Sequence, residues 1–357
     1  MSAELVLVLL LILAAELVNG WTDAPNAIAT VVGTRSLTPR QAIVLASVCN
    51  LIGVLSGTAV ATTIGVGIVD PEVVSLSTVG AAMVGIVAWS SLAARWGIPT
   101  SESHALVAGL TGAGLATAGP SAVLWLGWKK ILVGLLLSSV VGFLAGFVMI
   151  VVISWLFRNR DRSRTRSTFR WLQIASSAFV AFSHGSNDGQ KFMGAFTLAL
   201  VLGGAITSFV IPIWIILLCA AVMALGTSLG GFRIMRTLGV RLTHLETHQG
   251  FASELAAAGT ITAASALGIP LSTTHTISTA IMGVGTARGV RSVNWVLARE
   301  LVIAWLLTFP ICGAISFVIV SLLRAKLIGG GFLIAVATML VVRRLLARRA
   351  HTKPAAA

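Results

Sequence analysis

The chain has 357 residues, 57% of them hydrophobic and 10% charged, and a mean hydropathy of +0.97. That composition excludes a water-soluble globular domain and makes the bilayer the solvent. The net charge of +14 does not indicate nucleic acid as a partner, because the basic residues lie mostly between apolar runs.

Crossing the hydrocarbon takes about 20 helical residues, and apolar runs recur along the whole chain. The first, 5–18, is too short unless it continues through the polar sequence that follows it. Glu4, Glu16 and the lack of a basic region before it argue against a cleaved signal peptide. That polar sequence is Asn19-Gly20-Trp21-Thr22-Asp23-Ala24-Pro25-Asn26, and spans at 43–64 and 73–94 follow it. Next come Gly97-Ile98-Pro99-Thr100-Ser101-Glu102-Ser103-His104 and a span at 131–157. Arg158, Arg160, Arg162, Arg164, Arg166 and Arg170 form a basic loop in mid-chain. The second half opens with an apolar run at 172–182 and then His184-Gly185-Ser186-Asn187-Asp188-Gly189-Gln190-Lys191. A charge-free stretch, 192–231, is long enough for two passes, and a run at 255–267 follows. Gly268-Ile269-Pro270-Leu271-Ser272-Thr273-Thr274-His275 answers the first proline motif. A span at 301–323, an extra helix at 327–342 and a tail with Arg343, Arg344, Arg348, Arg349 and Lys353 complete the chain.

The two kinds of polar motif thus appear twice, in the same order, which is the form of a secondary transporter with its site between two repeats. The expected fold is an all-α polytopic membrane protein of two inverted-topology repeats, with broken helices or re-entrant hairpins and about ten to twelve membrane segments. The expected division is a first repeat at 1–157, a basic cytoplasmic loop at 158–170, a second repeat at 171–323, and an extra helix with its tail at 324–357. Five elements per half make an odd number of crossings, which turns the second copy over. Loop charge agrees when Arg35, Arg40, Arg95, Arg233, Arg236, Arg241, Arg288 and Arg291 lie inside and Asp70 and Glu72 outside. Lys129 with Lys130, and Arg324 with Lys326, then fall outside, against the rule. The expected location is the cytoplasmic membrane, multi-pass. Cys49, Cys219 and Cys312 have no metal-ligand spacing and read as packed thiols, and the Trp residues read as interface anchors.

Pro99 and Pro270 suit the first turn of a helix, where the neighbouring hydroxyls cap exposed amides. Two such starts converging from antiparallel repeats would hold one tetrahedral oxyanion. The alternative is that these hydroxyls bond only to their own helices, as membrane Ser and Thr often do. Asp23 and Asp188 are costly in a bilayer and sit among oxygen ligands and chain breakers, as a site for a coupling cation would require. The alternative there is a structural ion pair, such as Asp188 with Lys191. His104 and His275 hold equivalent positions and divide between packing and a proton or ligand role.

These motifs resemble the inorganic phosphate transporter (PiT) family, of the bacterial low-affinity phosphate permease type. Its repeats each carry a Gly-x-Asn-Asp type and a Pro-x-Ser-Thr-Thr-His type signature. Phe182–Lys191, Pro270–His275 and Ala304–Pro310 carry the likeness most closely. The resemblance implies a symporter and not an enzyme, usually a homodimer, moving inorganic phosphate with sodium or protons, in some members as a metal-phosphate complex. It implies phosphate contacts from Thr100, Ser101, Ser103, Ser272, Thr273 and Thr274. Cation contacts are implied around Asp23, Asn26, Asn187 and Asp188, with sodium at Asp23 and Asp188. No cofactor beyond the coupling ion is expected. Thr22 stands where the signature usually has Asn, and Glu102 where many members have Ser or Thr. Glu102 would repel a dianion, so it is expected to accept the proton of monohydrogen phosphate or to carry the coupling proton. A sulfate permease of the same family, an anion channel and a membrane enzyme on lipid phosphates are the competing readings.

Overall fold

The computed structural model describes residues 2–160 and 162–326; the helix and basic tail expected beyond them lie outside the described residues. Their regular secondary structure is helical, joined by turns and short loops, and the described residues hold no strand. The first half holds α1 (Ala3–Thr22), α2 (Ala24–Gly33), α3 (Pro39–Val54), α4 (Ala59–Gly67), α5 (Leu76–Trp96), α6 (Glu102–Ala118) and α7 (Trp125–Leu156). The second holds α8 (Arg162–His184), α9 (Gln190–Leu202), α10 (Ile213–Ser228), α11 (Phe232–Arg236), α12 (Thr247–Ala266), α13 (Thr273–Arg288) and α14 (Trp295–Arg324). The order repeats down to small connections. A single antiparallel bridge joins Val69 to Val123 before α7, and another joins Thr243 to Val293 before α14.

Local chemistry explains the boundaries. Thr38 caps α3 in a capping box with Gln41, just ahead of Pro39. Gly97 and Gly268 end α5 and α12 with φ of +73° and +62°, a left-handed conformation that Cβ disfavours. After each glycine the chain turns back, and Ser101 and Ser272 open α6 and α13 by accepting from the amides of His104 and His275 (3.3 and 3.1 Å).

Four helical stretches are long and apolar enough to span a bilayer: Ala3–Gly33, Leu76–Trp96, Trp125–Leu156 and Trp295–Arg324. Two bent pairs raise the number to six. One of them lies where the apolar run predicts a single span at 43–64: the chain bends by 75° between α3 and α4, at a Ser56-Gly57-Thr58 turn. The other bends by 64° after Ser228. Shorter helices fill the spaces between these long ones.

The halves interlock. α7 packs along α13, and α14 along α6, so each half's last long helix lies against the other half's hydroxyl-motif helix. A Cβ on Gly283 would come within 2.0 Å of the Phe143 carbonyl, which shows how closely α7 and α13 approach. α5 is interior, with 83% of its central residues buried, whereas α7 and α14 bury only 28% and 22% of theirs. Their exposed residues, Leu126, Leu136, Val296 and Leu306 among them, match a lipid-facing surface.

One end of the bundle is basic. Arg170 Nε donates to the Ser36 carbonyl (3.2 Å), the Arg233 guanidinium to that of Arg95, and Arg288 to that of His244 (3.5 Å). Gly33 touches Gly239 at the same end.

Candidate functional site

Asp23 is a one-residue interruption between α1 and α2: its N–H still reaches the Asn19 carbonyl, and Pro25 lies in the first turn of α2. Asp188 lies in a π-helical turn, Gly185–Gly189, joining α8 to α9. Both breaks are therefore smaller than full unwinding, and single π-turns of this kind recur at functional sites. One oxygen of Asp23, one of Asp188 and a ring nitrogen of His184 lie within 4.8 Å of one another, all buried. The two aspartates, far apart in sequence, thus share one place.

The hydroxyl motifs meet there too, through reciprocal bonds. Ser103 Oγ donates to the Leu271 carbonyl (2.9 Å), and Thr274 Oγ1 to the Thr100 carbonyl (3.1 Å). Each motif thereby holds the backbone of its counterpart just ahead of a helix start. Around Asp23, Asn26 Nδ2 donates to Asp23 Oδ1 (2.8 Å) and to Thr274 Oγ1 (3.0 Å), and the single Thr274 hydroxyl proton is shared between the Thr100 carbonyl and Asp23, the nearer of the two. Around Asp188, Lys191 Nζ donates to Asp188 Oδ1 (2.6 Å), Ser103 Oγ (2.6 Å) and the Leu271 carbonyl (3.1 Å). The cation expected at Asp188 thus meets a carboxylate already ion-paired with Lys191.

The remaining expected residues divide by role. Thr100 is buried at the motif's start, and the Thr273 hydroxyl is buried with no hydrogen-bond partner among the described residues. Ser101 and Ser272 cap their helices. Asn187 Nδ2 donates to Ser265 Oγ (2.9 Å), leaving its Oδ1 without a partner. Glu102 accepts from Thr22 at Oε1 (2.8 Å) and from Ser90 at Oε2 (2.6 Å), so it ties α6 to α1 and α5. Thr22, in the position where the signature has Asn, serves Glu102 in this way. His104 and His275 face each other with ring centroids 4.4 Å apart, bringing the two motifs together a second time. Trp305 stacks on His275 at 3.8 Å and donates to the Pro99 carbonyl (3.1 Å).

The electrostatics follow from burial. Glu16, Asp23, Glu102 and Asp188 are buried carboxylates, and Lys191 is the one buried ammonium among the described residues. Several acceptors have no donor: both oxygens of Glu16, and Oδ1 of Asn19, Asn26 and Asn187. Asp188 Oδ2 also lacks a donor. It faces His184 Nε2 at 3.8 Å. The Asn50 amide donates to Thr227 (3.1 Å), so its Oδ1 accepts from His184 Nδ1 (3.0 Å), and in the neutral imidazole the lone pair is then on Nε2. The Asn19 amide nitrogen is unpartnered as well, but most of these unpartnered atoms are carboxylate and amide oxygens, the ligand type that a hard cation takes.

The sequence model of the Phosphate transporter family matches residues 19–165 and again 157–316. The chain belongs to that family. A probable low-affinity inorganic phosphate transporter of Rhizobium meliloti (strain 1021) is 43% identical over 303 residues, covering 84% of this chain and 91% of the relative. One from Bacillus subtilis (strain 168) is 38% identical over 324 residues, covering 89% and 97%. A solved structure described as the sodium-dependent phosphate transporter superposes with a TM-score of 0.82 at 27% identity, covering 91% of this chain and all of that one. The family and these relatives are transporters, so the reading as a membrane enzyme is set aside.

Within this phosphate transporter fold several buried polar residues escape sequence reasoning. Trp89 and Trp305 are buried hydrogen-bond donors and not interface anchors. Glu254 is buried on α12, accepting from Thr30, Ser176 and Gln173, while Gln173 accepts from Thr34 and Ser36 at the basic end. The one available signal was the pairing of a rare intramembrane carboxylate with polar positions one helical turn apart on α2.

Proposed function

We propose that this protein is a secondary active symporter that moves inorganic phosphate across the cytoplasmic membrane together with a cation, sodium or a proton. The observation that carries the reading is the meeting of the α6 and α13 starts beside Asp23 and Asp188. First-turn amides have no partner within their own helix, and the helix dipole makes that end positive. Two such ends, with Thr100, Ser101, Ser272 and Thr273 around them, would offer a tetrahedral oxyanion donors from both halves. Ser103 and Thr274, whose hydroxyls bond the opposite motif's carbonyls, would hold the two starts together and reach the anion only by turning those hydroxyls. Asp23 and the free Oδ1 of Asn26 would hold the cation. Lys191 is already paired with Asp188, so an entering anion meets no unpaired buried ammonium and needs added positive charge, which favours co-transport. Glu102 would receive the proton of monohydrogen phosphate, with His104 and His275 behind the anion.

Inverted repeats fit this reading. The α2–α3 connection lies at the basic end with Arg170, while its counterpart between α9 and α10 touches Leu5 and Gly65 through Gly203 and Phe209. The basic end would face the cytoplasm, and the working form would be a homodimer, as the resemblance implies. Uptake of labelled phosphate into proteoliposomes, with sodium and pH gradients imposed separately and sulfate as competitor, tests the proposal. Uptake driven by one cation and resistant to sulfate is expected. Equal competition by sulfate would make the protein a sulfate permease.

A further inference from the structure

The two halves build the same constellation with one substitution. In the first, the residue three after the motif aspartate is Asn26, which bonds Asp23 Oδ1 and the hydroxyl of Thr274, while Thr274 bonds the Thr100 carbonyl. In the second, the residue three after Asp188 is Lys191, which bonds Asp188 Oδ1 and the hydroxyl of Ser103, while Ser103 bonds the Leu271 carbonyl. Ser103 and Thr274 occupy the same place in the two hydroxyl motifs, as do Thr100 and Leu271. In the bonds to the aspartate and to the hydroxyl, an amide in one half stands where an ammonium stands in the other; beyond these, Thr274 also bonds Asp23 and Lys191 also bonds the Leu271 carbonyl.

The chemical difference is decisive. Asn26 keeps an oxygen, Oδ1, with no partner among the described residues, so it can ligate a cation. An ammonium carries three donors and no acceptor. Lys191 spends all three on oxygens, at 2.6, 2.6 and 3.1 Å, which is itself a cation in an oxygen cage. It is fully buried, its stem is anchored on α9, and it cannot leave with the substrate.

We infer that the Lys191 ammonium is a built-in replacement for one coupling cation, so that the protein carries one mobile cation fewer than its two-fold repeat has places for. The inference rests on the symport reading above and deepens it. The mobile ion belongs to Asp23 and Asn26, within reach of Asp188 Oδ2, while Asp188 Oδ1 is permanently neutralised. Restoring an amide at position 191 should then open the second place.

Equilibrium binding of radioactive sodium to purified full-length protein, at fixed pH and saturating phosphate, gives the count per chain. Lys191→Asn should bind one sodium more than the parent, whether the parent binds none or one, and Asp188→Asn on that background should remove the gain. An unchanged count in Lys191→Asn overturns the inference. Lys191→Gln, which also supplies an amide oxygen, is measured alongside and decides the question by the same count if the shorter variant does not purify folded. Phosphate uptake by the parent is measured separately: its failure would sink the symport reading, while the sodium count still decides the role of Lys191.

Discussion

Replacing Asp23 by Asn preserves the shape of the side chain and one acceptor oxygen while removing the charge. Asp23 is buried, and its Oδ1 accepts from Asn26 at 2.8 Å and from Thr274, so the amide can stay in place with its oxygen toward those donors. A cation about 4 Å from a carboxylate gains roughly 4 kcal/mol at an effective dielectric near 20. With about 1.4 kcal/mol per factor of ten, the expected loss in cation affinity is on the order of a thousandfold. The assay is phosphate uptake into proteoliposomes against external sodium at fixed pH, and against pH without sodium, with thermal unfolding to show that the variant is folded. Uptake in the variant should lose its cation dependence or stop. A folded variant whose half-saturating cation concentration stays within about threefold of the parent's would refute the reasoning.

Glu102→Gln can offer a donor where the parent offers only acceptors, so it should relax discrimination against sulfate and change the pH profile of uptake; competition assays measure both. Trp305→Phe keeps a ring against His275 but loses the bond to the Pro99 carbonyl, at a cost of about 1 kcal/mol. Since Pro99 precedes the first hydroxyl motif, the half-saturating phosphate concentration should rise roughly fivefold. Gly283→Val forces a side chain into the Phe143 carbonyl, 2.0 Å from where its Cβ would be, and should destabilise the α7–α13 contact by at least about 1–3 kcal/mol. A lowered melting temperature in detergent checks it.

Much of the site was legible in the sequence because its parts are rare in a bilayer. Asp23, Asp188 and the two proline-hydroxyl motifs stand out against an apolar background, and their repetition marks two halves. The structure brings all four together. Three features were not legible, each for a physical reason. The bend between α3 and α4 is invisible to hydropathy, because both sides of the Ser56-Gly57-Thr58 turn are apolar. The reciprocal bonds between Ser103 and Leu271, and between Thr274 and Thr100, depend on how two distant segments face each other. The burial of Trp305 and Glu254 depends on packing between halves, which no local pattern encodes. Lys191 was visible as a neighbour of Asp188, but its equivalence to Asn26 appears only when the two sets of contacts are compared.

The central claim is that phosphate movement is driven by a cation. Proteoliposomes loaded with the same labelled phosphate concentration inside and outside, then given an inward sodium or proton gradient, test it directly. One of the two gradients should draw phosphate inward above its starting level, and dissipating that gradient with the matching ionophore should release the excess. Phosphate that only exchanges between the two sides, with no net accumulation under either gradient, would contradict the account.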